Sequence, residues 1–382
     1  MSGPDFPSPE LTPDEVSSDV LSRGDLLRRA AVLGVSVSAV GAFVPTAFAR
    51  PSQTVKVSFL YPGPVGDVGW SWTHDQGRKV VERTLSGVKT IKVENVVTDA
   101  DVRRALTNVL DQGVNLVFAC SIGMQKVATQ IAGKGDVPIM IASGIGSGGA
   151  IGGYAGSAYE AFYACGYVAG RMTKSNKIGW VSAFPFPEWL RDVNAFALGA
   201  RAANPKARVT VVWTNSFFDP KKEAEAASSL IDQGADVVGQ EVDSPAVQQE
   251  AQRRGVYSIS SNSPMSRFAP KAVLTGQLYT WGQYYVSVVR KVQAGTWKAG
   301  YDYLGMKQGV IRLAPYGNSV SAKVRADTNA IVARIKSGKL KPFRGPIRDQ
   351  KGRVRIKAGE VWEADDTGKF NFLVNNISGK VS

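Results

Sequence analysis

The stretch from Pro138 to Pro205 constrains this chain more than any other. Pro138-Ile139-Met140-Ile141-Ala142 reads as a buried strand ending in small residues. A helix with a small-residue face follows, and the short polar link Thr173 to Lys177 opens a second apolar strand. That strand runs into a Pro-rich loop, Phe184 to Pro187, and then another helix. One α/β lobe therefore finishes, the chain crosses over, and a second lobe begins with an aromatic-rich loop facing the first. Two lobes with a cleft between them suit closure on a small molecule.

The flanking sequence has the same plan. Strand Val55 to Tyr61, helix His74 to Leu85, strand Lys89 to Val97, helix Val102 to Gln112 and strand Asn115 to Cys120 alternate, followed by helix Met124 to Ala132 and strand Val137 to Ser143. Thr98 and Asp101 are placed to cap the helix that stops at Gly113. Beyond the crossover come strand Ile178 to Ala183, helix Trp189 to Ala203, strand Arg208 to Trp213, helix Lys221 to Gln233, strand Val237 to Gln240, helix Ala246 to Arg254 and strand Val256 to Ser260. Asp111-Gln112-Gly113-Val114-Asn115 and Asp232-Gln233-Gly234-Ala235-Asp236 are the same helix stop before a strand, once per lobe. Continuous apolar strands separated by helices specify an α/β fold, here two doubly wound parallel-sheet lobes joined by a hinge. Tyr279 to Ala294 reads as one helix returning to the first lobe, and Ser321 to Ser337 as another. The expected partition is a leader over 1–49, a first lobe of 50–174 plus about 280–305, a second of 175–279 plus about 306–345, and a C-terminal tail over 346–382 with β character.

The leader is a separate object. Residues 1–20 are rich in Pro, Ser and acids, followed by Arg23, Arg28 and Arg29, an apolar run from Ala30 to Val44, and Ala47-Phe48-Ala49. A basic segment, a moderate apolar segment and an A-x-A site predict a signal peptide cleaved after Ala49, and so export to the periplasm or cell envelope. The arginines are arranged as in a twin-arginine signal, with Gly24 at the second arginine position. No cysteine lies near the cleavage site to take a lipid anchor. Cys120 and Cys165 sit in apolar contexts and read as small buried hydrophobes. The net charge is +14, rising to +17 without the leader. Bases are spread out and concentrate only from Arg334 to Arg355, without a basic helix or stacking strand, so nucleic acid is not an expected partner. Such a surface suits an anionic membrane face or cell envelope.

Catalytic chemistry is sparse. His74 is the sole histidine, and no Walker A, G-x-S-x-G or Cys/His cluster is present. The reading is therefore no catalytic residues, no metal and no cofactor. Gly144 to Gly149 matches G-x-G-x-x-G but follows the fourth strand, whereas a dinucleotide site belongs at the first strand–helix turn. It reads as a flexible loop at the cleft mouth. The positive signal is aromatic. Ligands in parallel α/β lobes sit beyond the carboxyl ends of the strands. There the first lobe carries Asp67, Trp70, Trp72 and His74; the second carries Phe184, Phe186, Glu188 and Trp189, then Phe217, Phe218 and Asp219, with Trp281 near the returning helix. Tryptophans flanked by acids suit a flat, nitrogen-rich ring that stacks and donates N–H groups, although such rings also plug cores.

At these residues the chain resembles the basic membrane protein family of ABC-transporter substrate-binding proteins, which includes purine-nucleoside receptors. Carrying the resemblance are Gly66-Asp67-Val68-Gly69-Trp70, Glu160 to Gly170, Lys177-Ile178-Gly179-Trp180-Val181, Phe217-Phe218-Asp219-Pro220 and Ala269 to Thr275. The resemblance implies a type I periplasmic-binding-protein fold, a purine base or nucleoside as ligand, and ABC permease and ATPase subunits as partners; a monomer is expected, though the sequence itself does not fix the oligomeric state. Where nucleoside binders of the family carry an aspartate-bearing G-V-D turn, this chain has Ser260-Ser261-Asn262-Ser263-Pro264; where they place Ser and Lys after Leu274-Thr275, it has Gly276-Gln277 and, further on, Trp281. Losing a sugar clamp while gaining tryptophans favours a free base. In this reading Trp70 and either Trp189 or Phe217 sandwich the ring, and Asp67, Glu188 and Asn262 read its polar edge. His74 and Ser121 sit at first-lobe helix starts, and Trp281 walls the cleft near the hinge. The alternatives are a ligand-presenting receptor for a membrane signalling protein and a secreted enzyme acting on purine-like amides.

Overall fold

Apolar strands that repeat the β-α order build two sheets. The protein is described by a computed structural model covering residues 54–132, 136–144 and 146–381; the expected leader lies outside the described residues. In the first sheet, β1 (Val55–Leu60), β2 (Val88–Val93), β3 (Leu116–Ala119), β4 (Ile139–Ala142), β5 (Ile151–Gly156) and β11 (Tyr301–Leu304) are all parallel, in the order β11-β5-β4-β3-β1-β2. The second holds β6 (Lys177–Ser182), β7 (Arg208–Trp213), β8 (Val237–Glu241), β9 (Tyr257–Ser260), β10 (Val273–Tyr279), β12 (Ile311–Leu313) and β17 (Ile377–Ser378). Their order is β12-β10-β9-β8-β6-β7-β17, and only β12 is antiparallel to its neighbour. The chain passes between the sheets three times, after β5, after β10 and after β11.

The helices are α1 (Trp70–Thr84), α2 (Asp99–Asp111), α3 (Gln125–Ala132), α4 (Tyr159–Met172), α5 (Pro187–Ala203), α6 (Pro220–Asp232), α7 (Ala246–Arg253), α8 (Gly282–Gln293) and α9 (Ala322–Lys336). Thr98 and Asp101 form the expected capping box of α2: Asp101 N–H donates to Thr98 Oγ1 at 3.2 Å and Thr98 N–H to Asp101 Oδ2 at 3.1 Å. Gly113 and Gly234 take φ of 69° and 93°, the left-handed stop that glycine supplies without Cβ strain. Both cysteines are buried and free.

The structure corrects the sequence reading at four places. Ile151–Gly156, given no element in the sequence reading, is strand β5, and a Cβ on its Gly152 or Gly153 would fall 2.5 Å from Met140 Sδ or 2.4 Å from the Tyr301 ring. Tyr279 ends β10 instead of opening a helix. Helix α4, assigned to the first lobe, packs along α5 and β10 of the second sheet. Residues 346–382 do not form a separate tail: β17 extends the second sheet, and Asn194 of α5 donates to Phe372 O at 2.8 Å while accepting from Val374 N–H at 2.9 Å.

Glycine brings α4 and α5 into backbone contact. A Cβ on Gly166 would sit 1.9 Å from Phe196 O, and one on Gly199 1.9 Å from Tyr163 O. Gly199→Ala is therefore expected to cost about 2 kcal/mol or more, although helix propensity alone favours alanine by about 1 kcal/mol. Gly66→Ala, which meets open space, should stay within about 0.5 kcal/mol of the parent. Urea unfolding of both checks this; equal midpoints would show that the two helices do not touch through these glycines.

Candidate ligand cleft

Helix α1 starts at the end of the β1 loop, and its first turn is where the lobes meet. Its N-cap residue, Gly69, has no side chain to cap it, and the first turn contains no acid. Two carboxylates from elsewhere take up the free N–H groups. Asp67 Oδ1 accepts from Gly69 N–H at 2.8 Å and Trp72 N–H at 3.2 Å. Asp243, from the loop after β8 in the second lobe, accepts from Trp70 N–H at 2.9 Å. Its same Oδ1 accepts from Asn262 Nδ2 at 2.8 Å. A Cβ on Gly69 would lie 2.4 Å from Asp243 Cβ, so only glycine admits this approach. Ser263 Oγ donates to Val68 O beside it. Burial raises the Asp67 carboxyl to about 6, and burial together with the nearby Asp67 charge pushes Asp243 well above its usual range.

Behind this seam stands an aromatic column. Tyr279 stacks on Trp281 at 5.1 Å and 9°, and Trp281 on His74 at 5.1 Å and 10°. The half-buried Trp70 meets the column edge-on, 4.4 Å from His74 and 5.1 Å from Tyr279, and its Nε1–H donates to Cys120 O at 2.7 Å. His74 and Trp281 are fully buried. His74 Nδ1 is hydrogen-bonded to the Tyr285 hydroxyl, which in turn bonds Tyr154 at 2.9 Å. Burial lowers the His74 pKa to about 3, so the ring is neutral. His74 Nε2 and Trp281 Nε1 have no hydrogen-bond partner among the described residues.

The second-lobe wall is ionic. Arg191, 1% exposed, bonds Asp192 Oδ1 through Nε at 2.9 Å and Thr367 Oγ1 through Nη1 at 2.6 Å. Its Nη2 lies 3.8 Å from Glu188 Oε1 and makes no hydrogen bond. Asp192 Oδ2 and Glu241 Oε2 are buried without a hydrogen-bond partner among the described residues, and burial with the Asp192 charge pushes the Glu241 carboxyl well above its usual range. Burial also raises half-buried Glu188 to about 7, with the Ser143 side chain of the first lobe close enough to oppose that rise. The Tyr279 hydroxyl lies within electrostatic reach of Glu188, Asp192 and Glu241, joining this wall to the aromatic column. One guanidinium and three acids whose carboxyls are pushed upward therefore present donors and acceptors together.

Of the sequence-selected residues, Asp67, Trp70, His74, Asn262 and Trp281 meet at the seam or its backing, and Glu188 joins through Ser143. Ser121 serves its own turn, accepting from Gly123 N–H at 3.2 Å. Trp189 and Phe217 form a separate, more exposed group with Phe184 and Phe186. It touches the seam where Asp243 N–H donates to Phe217 O at 2.9 Å. Sequence reasoning missed Asp243, Tyr279, Arg191, Asp192 and Glu241. Asp243 carried a usable signal, since it follows a strand end as Asn262 does.

Comparison with known proteins places the fold in a family. A family model described as ABC transporter substrate-binding protein PnrA-like matches residues 54–350. A purine-binding protein of Brucella abortus is 38% identical over 347 residues, covering 90% of this chain and 99% of that protein. A putative ABC transporter glucose-binding protein of Haloferax volcanii is 35% identical over 296 residues, 77% of this chain and 75% of that one. Among solved structures, the solute-binding protein of an ABC transporter system from Conexibacter woesei superposes with a TM-score of 0.64 at 22% identity, covering 75% of this chain and 98% of that one. One from Aeropyrum pernix gives 0.65 at 16% identity, covering 84% and 100%. These structures share the type I two-lobed fold, and the sequence relatives are named as binding proteins. The chain belongs to the PnrA-like family of ABC transporter substrate-binding proteins.

Proposed function

We propose that this protein is exported, captures a purine base between its lobes, and delivers it to an ABC permease and ATPase. The observation that carries the reading is the convergence, at the carboxyl ends of both sheets, of an aromatic column with a wall of buried carboxyls and one arginine. A purine edge alternates ring N–H donors with lone-pair acceptors, and a protonated acid beside a carboxylate offers the matching alternation. In this reading Trp70 stacks on the ring, with Trp189 or Phe217 closing from the second lobe. Asp67, Glu188 and Asn262 read the edge with Arg191, Asp192 and Glu241, while His74 and Trp281 back the stack. Asn262 in place of an aspartate removes a charged ribose acceptor. The purine-binding relative from Brucella supports the ligand class.

Calorimetric titration with adenine, guanine, hypoxanthine, adenosine, ribose and glucose tests this. A free base is expected to bind tightest. Preference for the nucleoside by roughly 100-fold, about 2.7 kcal/mol, would refute the free-base reading, and glucose binding tightest would refute the purine reading. Trp70→Ala should weaken the base by about 1–3 kcal/mol, the worth of one base–aromatic stack, with Trp70→Phe recovering most of it.

The Glu188 pKa, raised in the fold to about 7 from a normal 4.5, predicts a pH dependence. The folded state holds a proton that the unfolded chain has released, so this group's contribution falls as pH rises through that window. Relative to the parent, Glu188→Gln should gain about 3 kcal/mol of stability between about pH 4 and about pH 8. Thermal unfolding of both proteins across that range reads the difference. A constant offset would mean Glu188 titrates as an ordinary surface acid.

A further inference from the structure

Residues 321–360 hold 12 Lys and Arg against 3 Asp and Glu, nine of the chain's +14 net charges in forty residues. The fold adds arginines from elsewhere to this run. Strands β14 (Ile347–Arg348) and β15 (Val354–Ile356) form a hairpin next to the end of α5. Asn375 links the two: its N–H donates to Arg348 O at 3.0 Å, and its side-chain oxygen accepts from Arg201 Nη1. The next residue's carbonyl, Asn376 O, accepts from Val209 N–H at 2.9 Å, beside Arg208 at the start of β7. Tyr163 of α4 lies within electrostatic reach of both Arg201 and Arg334, the latter in the last turn of α9. Four arginines from α5, β7, α9 and the hairpin thus surround Asn375 and Tyr163.

None of these four forms an ion pair among the described residues. Arg201 bonds Asn375, Arg208 the carbonyls of Pro205 and Ala207, and Arg348 that of Gly352. Arg208, Arg334 and Arg348 are exposed, as are Lys336, Lys339 and Lys351 around them. Arg201 is half-buried, and burial first, then the neighbouring Arg208 charge, lowers its pKa. Val354 stands 45% exposed in the same hairpin, between Arg353 and Arg355. The patch lies where β6 and β7 begin, and the cleft lies where they end, about 20 Å away for six-residue strands.

Planar guanidinium groups pair with phosphate oxygens, and an exposed aliphatic side chain among them suits a headgroup–acyl boundary. The phosphate backbone of a nucleic acid offers that valine nothing apolar. We propose that this arginine-rich face of the second lobe docks on the anionic phospholipid headgroups of a bilayer, with the cleft at the opposite end left free.

Cosedimentation of the full chain with vesicles of phosphatidylcholine alone, and with about one-third phosphatidylglycerol added, tests the proposal. Binding is expected only to the anionic vesicles, falling steeply as salt shortens the screening length. Arg208→Gln, Arg334→Gln and Arg348→Gln combined should weaken it at least about tenfold, and the corresponding Glu triple variant further. The first-lobe triple Arg83→Gln, Lys89→Gln and Arg103→Gln removes the same charge from exposed sites and should change it less than about threefold. Circular dichroism establishes that each variant is folded. Equal loss in both Gln triples would reduce the effect to bulk charge and overturn the proposal. So would equal binding to neutral and anionic vesicles, or tighter binding to duplex DNA than to vesicles at one salt concentration.

Discussion

Asp243 caps a helix of the opposite lobe, and the geometry of the cleft depends on that contact. A helix leaves its first N–H groups without partners, and those groups favour negative charge. Helix α1 begins at glycine and carries no acid in its first turn, so its N-terminus is open to an external carboxylate. Asp67 fills one position from within the lobe, and Asp243 fills another only when the second lobe is in place. The same oxygen of Asp243 accepts from Asn262, which ties the loops after β8 and β9 of the second lobe together beside the contact. Opening the lobes returns Asp243 and the Trp70 N–H to water, an exchange of hydrogen bonds with a small net cost of about 1 kcal/mol. A contact of that size suits a hinge whose balance a ligand can tip, because closure needs no large rearrangement of the core.

The parallel architecture was legible because its strands are buried on both faces and read as unbroken apolar runs. Arg208 to Trp213 matches β7 residue for residue. Strand β5 escaped for an equally physical reason. Ile151-Gly152-Gly153-Tyr154-Ala155-Gly156 is half glycine, a composition that signals a loop when judged locally. The glycines are dictated by Met140, Tyr301 and Tyr279, whose side chains occupy the space a Cβ would take. None of the three is a sequence neighbour. Tyr279 was misread in the same way: Gln277-Leu278-Tyr279 pairs with Ile311-Arg312-Leu313, and that partner is invisible to any local periodicity.

At the site, the rule that ligands lie beyond strand ends selected Trp70, Glu188 and Asn262, and applied evenly it would have selected Asp243 as well. Arg191 and Asp192 were out of its reach. A charged pair inside a helix ordinarily points to solvent, and here it is buried because the C-terminal segment covers α5, with Thr367 bonding Arg191 and Phe372 and Val374 bonding Asn194. His74 shows the converse. Its residue type suggests chemistry, but full burial and stacking on Trp281 make it a neutral part of the wall behind Trp70.

The net charge of the chain says little about the cleft, because the second lobe is electrically polar along its own strands. At one end of β6 and β7 stand Arg201, Arg208, Arg334 and Arg348 without carboxylate partners among the described residues; at the other stand Glu188, Asp192 and Glu241 around the guanidinium of Arg191, with Asp243 at the lobe seam. Their separation, about 20 Å, exceeds the screening length of about 10 Å at 0.1 M salt. In electrolyte the exposed arginines therefore do not set the potential in the cleft. Asp192 there is buried and Glu188, Glu241 and Asp243 half-buried, so their mutual repulsion is less screened and favours proton uptake instead. That is why a chain with a large positive charge can keep a cleft of carboxyls with raised proton affinity, and why its ligand must be read from the local donors and acceptors.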